Sequence, residues 1–427
     1  LSTKTLVVIG NVWPEPRSSA AGARMLQLIR VLRPRFESVV FACVAEPGPR
    51  CAALHEYGVD SARIRLNCDS FDRWLAGLAP EAVLFDRFMT EEQFGWRVAR
   101  TCPGALRLLD TEDLHSLRGA REQLLKEHLA KARELGQEPE CGPILASAEQ
   151  LYRRMAASDL AQRELAAIYR SDLSLIISEF EMQLLRAQFR LPSDLLHYLP
   201  LVAEPRPDLG PTFEQRGHFV SIGNFRHPPN WDSVLWLKER LWPDLRTRLP
   251  GVELHLYGAY PPPKAQALDD PKMGFRVKGW TSDVDAVMRQ ARVCLAPLRF
   301  GAGLKGKLLD AMRCATPSVT TDIGAEAMAR SERWPGQVAN RAEDFVEAAI
   351  ELYTRPSLWH EAQSKAEPLL LERFAEGGRG EAFSNLLETM ERHLERHRSR
   401  NFVGSLLRHQ QHRSTEYFSR WLALKNQ

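Results

Sequence analysis

Residues Pro297 to Glu326 read PLRFGAGLKGKLLDAMRCATPSVTTDIGAE: a strand end, a glycine loop, a helix, a second strand and a second loop in succession. The apolar run Val293-Cys294-Leu295-Ala296 just before them has the length of a short buried strand. The loop Phe300 to Gly306 follows, and Lys307 to Arg313 has helical character. Leu304, Leu308 and Met312 recur at helical spacing, which directs one face onto a sheet. Glycines let a backbone come close to a ligand, and free N–H groups at a helix start suit an anion. Lys305 and Lys307 add two positive charges at the same end. A phosphate or diphosphate is the expected occupant, held by Gly301, Gly303, the Leu304 backbone and Lys305.

Asp310 lies three residues after Lys307 and seven after Gly303, so a helix puts it on their face. Its side chain leans toward the helix start. A carboxylate repels phosphate but accepts hydrogen bonds from two adjacent hydroxyls, as on a ribose. Ser318 to Thr321 reads as the next strand, and Asp322-Ile323-Gly324-Ala325-Glu326 as a loop at the same sheet edge. Open parallel sheets bind ligands at that edge. These features predict a nucleotide-diphosphate compound, with Gly324 and Glu326 near the group beyond the phosphates.

The whole chain has 427 residues, long enough for two or three domains. Its 44% hydrophobic and 26% charged content is ordinary for a globular protein, and a net charge of +3 argues against nucleic acid. Seven cysteines, an odd number without a C-x-x-C pair, read as buried or free thiols in a reducing compartment and not as a disulfide frame or zinc site. No apolar stretch approaches the roughly 20 residues of a membrane span. The opening residues carry no signal-peptide pattern, so a cytoplasmic chain is expected, with peripheral contact on the inner membrane face as an option.

Apolar strands at Thr5 to Ile9, Val39 to Cys43, Ala82 to Phe85 and Leu106 to Leu109 each run into polar loops. One carries Ser18, Ser19, Ala21 and Gly22 ahead of a helix; others carry Asp86-Arg87 and the run from Asp110 through Asp113 to His115. Arg118 to about Arg170 reads as a helical insertion, broken by turn residues from Gly136 to Pro143. Ser178 and Glu181 have capping-box spacing. The Pro- and Gly-rich stretch Leu199 to Gly217 is the linker candidate. A second strand-helix series then begins, with Arg226 after one strand and Trp280 after another. Near the end, Ser414 is a candidate cap for a last basic, aromatic helix suited to a membrane surface. His393 and His397 have metal-pair spacing but no accompanying carboxylates, so solvated helix histidines are expected there.

In this order the features resemble the donor-binding segment of the retaining GT-B glycosyltransferases, family four (glycosyl transferases group 1). Their pattern is close to P-L-R-x-G-x-G-x-x-x-K-x-x-E-A-M-A-x-G-x-P-V-V-x-T, followed by G-x-E. The resemblance implies an α/β protein with two Rossmann-like domains facing across a cleft: residues 1–205 for the acceptor, with an insertion at about 118–170, residues 206–384 for the donor, and helices 385–427 crossing back. It implies transfer of a sugar from a nucleotide-diphosphate sugar to a glycan, lipid-linked or protein hydroxyl with retained configuration, in surface-glycan synthesis and without a metal or other cofactor. His115, Lys305 and Arg226 take catalytic roles, Trp280 meets the base, and Arg226 or Arg299 with Lys305 faces the diphosphate. Ala21, Gly22, Asp86 and Asp113 line the acceptor side. The sequence departs from the pattern at Ala302 and Asp310, where paired glutamates are usual, at Ala315 and Ala327, where glycine is usual, and at Ser318 in place of Val. An inactive sugar-nucleotide sensor and a nucleotide-sugar epimerase of the same architecture are the alternatives.

Overall fold

The computed structural model describes residues 4–136 and 142–425, with only the backbone of 410–413. The break expected from Gly136 to Pro143, and Cys141 with it, falls largely outside the described residues. The first sheet holds β1 (Thr5–Gly10), β2 (Ser38–Cys43), β3 (Asp60–Arg63), β4 (Ala82–Asp86), β5 (Leu106–Asp110), β6 (Leu173–Ile176) and β7 (Leu196–Tyr198). The second holds β8 (Gly217–Ile222), β9 (Leu254–Tyr257), β10 (Phe275–Gly279), β11 (Ala291–Ala296), β12 (Ser318–Thr320) and β13 (Gly336–Val338). Their orders are β3-β2-β1-β4-β5-β6-β7 and β10-β9-β8-β11-β12-β13, and neighbouring strands pair in parallel. Both are doubly wound, with the order reversing beside the first strand of each sheet. Loops leaving β1 and β4, and β8 and β11, therefore open at the crevices where such sheets take ligands.

The central strands are apolar on both faces because helices cover both. Val7, Val8 and Ile9 are fully buried, with Val8 opposite Phe41 and Leu84. Leu304, Leu308 and Met312 join Ala296, Trp334, Leu369 and Phe374 in one apolar cluster, which sets the glycine-loop helix, Gly306–Arg313, on the second sheet. Leu308 has no exposure, so Leu308→Ala should cost about 2–5 kcal/mol.

The edge strands β3, β7 and β13 carry little apolar signal in the sequence; Asp60-Ser61-Ala62-Arg63 has none of the usual strand formers. Asp322 to Ala325 is a short helix capped by Thr321, not a loop. Ser414 caps nothing: it lies inside one helix, Phe402–Lys425. Ser178 accepts from the Glu181 N–H, but the Glu181 carboxylate goes elsewhere, so the capping box is half made.

The chain returns to the first domain after its second. In the helix Arg379–Arg392, Phe383, Leu387 and Met390 pack with Met25, Leu28 and Leu32 of the helix Ala20–Leu32. Arg398 then forks onto buried Asp172, which also holds Arg107.

Candidate functional site

The glycine loop leaves β11 at the switch point of the second sheet and meets the first domain directly. Gly303 has φ +62, and a Cβ there would sit 2.9 Å from the Asp113 Cβ. Only glycine gives both the left-handed backbone and that approach. A Cβ at Gly306 would lie 2.8 Å from the Ala20 Cβ, so the two loops touch through small residues. On the first domain, a Cβ at Gly22 would lie 2.5 Å from the Glu15 backbone. That glycine lets the loop after β1 fold back on its own helix, where Ser19 accepts the Gly22 N–H at 3.0 Å. Ala21 is half-buried beside it.

Lys305 and Lys307 stand on either side of the helix start. The Lys305 Nζ donates to the Gly303 carbonyl at 2.8 Å and the Lys307 Nζ to Asn230 Oδ1 at 2.8 Å. Burial pulls both ammonium groups down to about 8. Among the described residues neither makes an ion pair, although Glu326 favours the Lys305 charge from a distance, so an arriving anion would restore a charge that burial disfavours.

One acidic side chain and one arginine of the first domain bind this loop across the cleft. Glu181 Oε1 accepts N–H bonds from Gly303 at 2.8 Å and Leu114 at 3.0 Å. Burial, with Asp113 nearby, pushes its carboxyl up to about 8, so it is mostly protonated at neutral pH. Its Oε2 has no partner. Arg121 forks onto Glu326 at 2.9 and 2.5 Å and also donates to the Gly301 carbonyl at 2.8 Å. The pair is largely buried, and removing one member of such a pair costs about 3–5 kcal/mol.

His115 begins the helix His115–Glu134, with Nε2 3.5 Å from Asp113 and its ring edge-on to Phe88. Burial lowers it to about 4, so the imidazole is neutral. Burial works against the Asp113 charge, but Arg118 holds that carboxyl down at about 2. His227, from the loop after β8, faces Asp113, Arg118, Lys307 and His115. Arg226 stacks on Tyr260 at 3.9 Å, and the Tyr260 hydroxyl donates to Glu15 of the first domain at 2.6 Å. Trp280 donates to the Arg17 carbonyl at 3.2 Å, and Arg50 covers its ring. A groove of about 570 Å³ runs beside Arg226 and Tyr260, walled by Trp231 and Pro261.

Other expected residues are placed differently. Arg299 forks onto Asp232 at 2.9 and 2.5 Å over Trp236, so its charge is matched there. A Cβ at Gly324 would lie 1.9 Å from Thr320 Oγ1; tight packing requires this glycine. Asp310 is over a third exposed, with Arg313 4.0 Å away. Ala302 packs on apolar residues of the first domain. Ala315 and Ala327 hold φ of +48 and +57, which explains why glycine would suit both. His397 is not merely solvated, since its ring meets the Asp172 carbonyl at 2.8 Å.

The opposite edge is acidic. Asp86 ends β4 and accepts the Asn11 N–H at 3.0 Å; Asp110 ends β5, fully buried, beside Arg24 at 3.3 Å. Burial pushes Glu112 up to about 8 although Arg87 opposes it. One oxygen on each of these three carboxylates lacks a hydrogen-bond partner. Among the described residues no cluster of three or more His, Cys, Asp or Glu is placed to hold a metal.

Sequence reasoning missed Arg118, Arg121, Glu181, His227 and Asn230 as site residues. His227 directly follows Arg226 and carried the same positional signal. Arg121 and Glu181 come from the insertion and from a helix cap, and only the fold brings them to the loop.

Residues 216–355 match the model of the family described as Glycosyl transferases group 1. No curated protein sequence matches the chain. Among solved structures, Anabaena HepE in complex with UDP-glucose aligns with TM-score 0.63 at 10% identity, over 90% of this chain and 99% of that one. Sucrose-phosphate synthase from Thermosynechococcus elongatus aligns with TM-score 0.58 at 14% identity, over 92% and 99%. WaaG, a glycosyltransferase involved in lipopolysaccharide biosynthesis, aligns with TM-score 0.57 at 13% identity, over 89% and 99%. The architecture is GT-B: two parallel sheets of seven and six strands with flanking helices.

Proposed function

We propose that the protein is a retaining glycosyltransferase that moves a sugar from a nucleotide-diphosphate sugar to an acceptor hydroxyl. The observation carrying this is one loop, Gly301 to Lys307, with two buried ammonium groups hydrogen-bonded to neutral acceptors and a neutral buried acid, Glu181, at its Gly303 N–H. As the glycosidic bond breaks, negative charge grows on the diphosphate. Lys305, Lys307 and the loop N–H groups stabilise it, with Arg226 at the outer side. Glu181, when protonated, donates from its unpartnered Oε2 instead of repelling the leaving group. Asp310 holds the ribose hydroxyls. Arg121 orients Glu326 and occupies only part of its lone pairs, leaving the rest for sugar hydroxyls. His115, neutral, accepts or donates a hydrogen bond at the sugar without adding charge. Two lysines on the diphosphate make a divalent cation unnecessary, so turnover should persist in excess EDTA.

The HepE complex makes UDP-sugars the first donors to assay. Asp86, Glu112 and Asp113 are the acceptor side, suited to a polyhydroxyl glycan, including a lipid-linked one in surface-glycan synthesis. A non-catalytic sugar-nucleotide sensor is the second reading, favoured by Ala302, which brings no acid to the place where the resembled pattern has one. Turnover of a labelled donor decides: transfer only with acceptor supports the proposal, conversion without acceptor makes the chain an epimerase, and tight binding without turnover makes it a sensor.

A further inference from the structure

The last helix, Phe402–Lys425, is built the opposite way round from an ordinary surface helix. It docks on the helices Arg87–Thr101 and Asp159–Arg170 through small and polar residues. A Cβ at Gly404 would lie 2.1 Å from the Tyr169 carbonyl, Ser419 is buried against Arg97 at 3.2 Å, and Glu416 takes Arg100 at 2.9 Å. Its apolar side chains point outward. Phe402, Tyr417, Phe418, Trp421 and Leu424 are 73%, 65%, 61%, 54% and 70% exposed. Successive turns place them along one side, away from Gly404 and Ser419. A helix fixed by its polar face does not need those aromatic groups for folding, and the exposed apolar patch from Tyr417 to Leu424 marks an interaction surface.

Charge identifies the kind of surface. From Leu394 onward, seven Arg and Lys stand against two acids, Glu395 and Glu416, in a chain whose net charge is only +3. The rest of the chain is therefore net negative, and the basic excess is gathered around this helix. The Lys425 ammonium lies over the Trp421 ring, 5.1 Å from its centroid. Trp and Tyr with flanking cations suit the boundary of an anionic bilayer, where rings sit among headgroups and cations meet lipid phosphate. A second copy of the chain would bring the same positive charge against itself.

We propose that this face docks the protein on an anionic membrane, with the helix lying in the plane of the surface. The helix rests on the first domain, so the membrane would meet the first domain and not the second. The proposal is independent of the sugar-transfer reading.

The test is co-sedimentation of the full chain with phosphatidylcholine vesicles, with and without about one third phosphatidylglycerol. The protein should pellet with the anionic vesicles only, and salt should release it. Replacing Tyr417, Phe418 and Trp421 together by Ser should lower partitioning at least about tenfold while the thermal midpoint stays unchanged, because all three side chains are exposed. Lys425→Glu should reduce the preference for anionic over neutral vesicles. Absence of binding to anionic vesicles, or equal binding by the triple variant, overturns the proposal. So does a native dimer that the triple variant converts to monomer, which would assign the stripe to a second copy.

Discussion

The two sheet edges that face each other across the cleft have the same strand order and opposite chemistry. The edge after β11 offers glycine backbone and two lysines whose charge burial disfavours. The edge after β4 and β5 gathers Asp86, Asp110, Glu112 and Asp113, with Arg87, Arg24 and Arg118 set beside them. One edge lacks an anion; on the other, Arg118 keeps Asp113 ionised while burial holds Glu112 protonated at neutral pH. A fold used twice has thus been given a basic edge and an acid-rich edge by loops alone, since fold does not dictate the site.

The largest expected effect breaks the basic edge. Lys305→Ala should lower turnover roughly a hundredfold, the usual loss when one preorganised charge on a leaving group is removed. Asp86→Asn on the acidic edge should leave donor binding unchanged and act only through the acceptor. If the two variants weaken donor binding alike, the division of labour is wrong.

Asp310→Asn sharpens the same comparison. Charge-assisted bonds to two hydroxyls should contribute on the order of 1.5–3 kcal/mol, so donor affinity should fall roughly tenfold to a hundredfold. A deoxyribose donor should bind the native protein poorly and lose little more in the variant. Losses that simply add would leave Asp310 as a partner of Arg313 on the helix surface.

A smaller effect comes from pH. Lys305 and Lys307 lose charge as pH rises through about 8, and Glu181 gains negative charge over the same range. All three changes have one sign, so donor affinity should fall above pH 8. Glu181→Gln keeps a neutral group that accepts from Gly303 and still donates, so the fall should become shallower. An unchanged pH profile in that variant would remove Glu181 from the site.

The basic edge was legible because its demands are local. Close approach to a phosphate needs glycine, the charge needs lysine, and both lie within a few residues of the helix that aims them. Helical spacing put Asp310 on the helix Gly306–Arg313 but did not show its exposure or its neighbour Arg313. The acidic edge was legible too, as Asp86 and the run Asp110 to Asp113, but Arg121 and Glu181 reach the loop only because the two domains pack on one another. No spacing rule spans the distance from Glu181 to Gly303. The same limit hid β3, β7 and β13, whose pairing depends on neighbours and not on their own composition.

The smallest effect concerns the two alanines where the resembled pattern has glycine. Ala315→Gly and Ala327→Gly relieve left-handed strain of about 1–2 kcal/mol each, partly offset by greater freedom of the unfolded chain. Each should raise stability in urea by about 0.5–1 kcal/mol and leave donor affinity unaltered. A loss of stability at either position would show that the Cβ contributes more in packing than its strain costs.

The central claim is that the Gly301 to Lys307 loop holds the diphosphate of a sugar nucleotide. Calorimetric titration of UDP, GDP and ADP at pH 8, in two buffers of different ionisation enthalpy, tests it most directly. At least one nucleotide should bind with net proton uptake, because the diphosphate raises the affinity of Lys305, Lys307 and Glu181 for protons; half-titrated at that pH, they can take up about one proton or more between them. Lys305→Ala should reduce both the affinity and the uptake. Binding with no proton uptake, binding that survives Lys305→Ala unchanged, or no binding of any of the three would contradict the account.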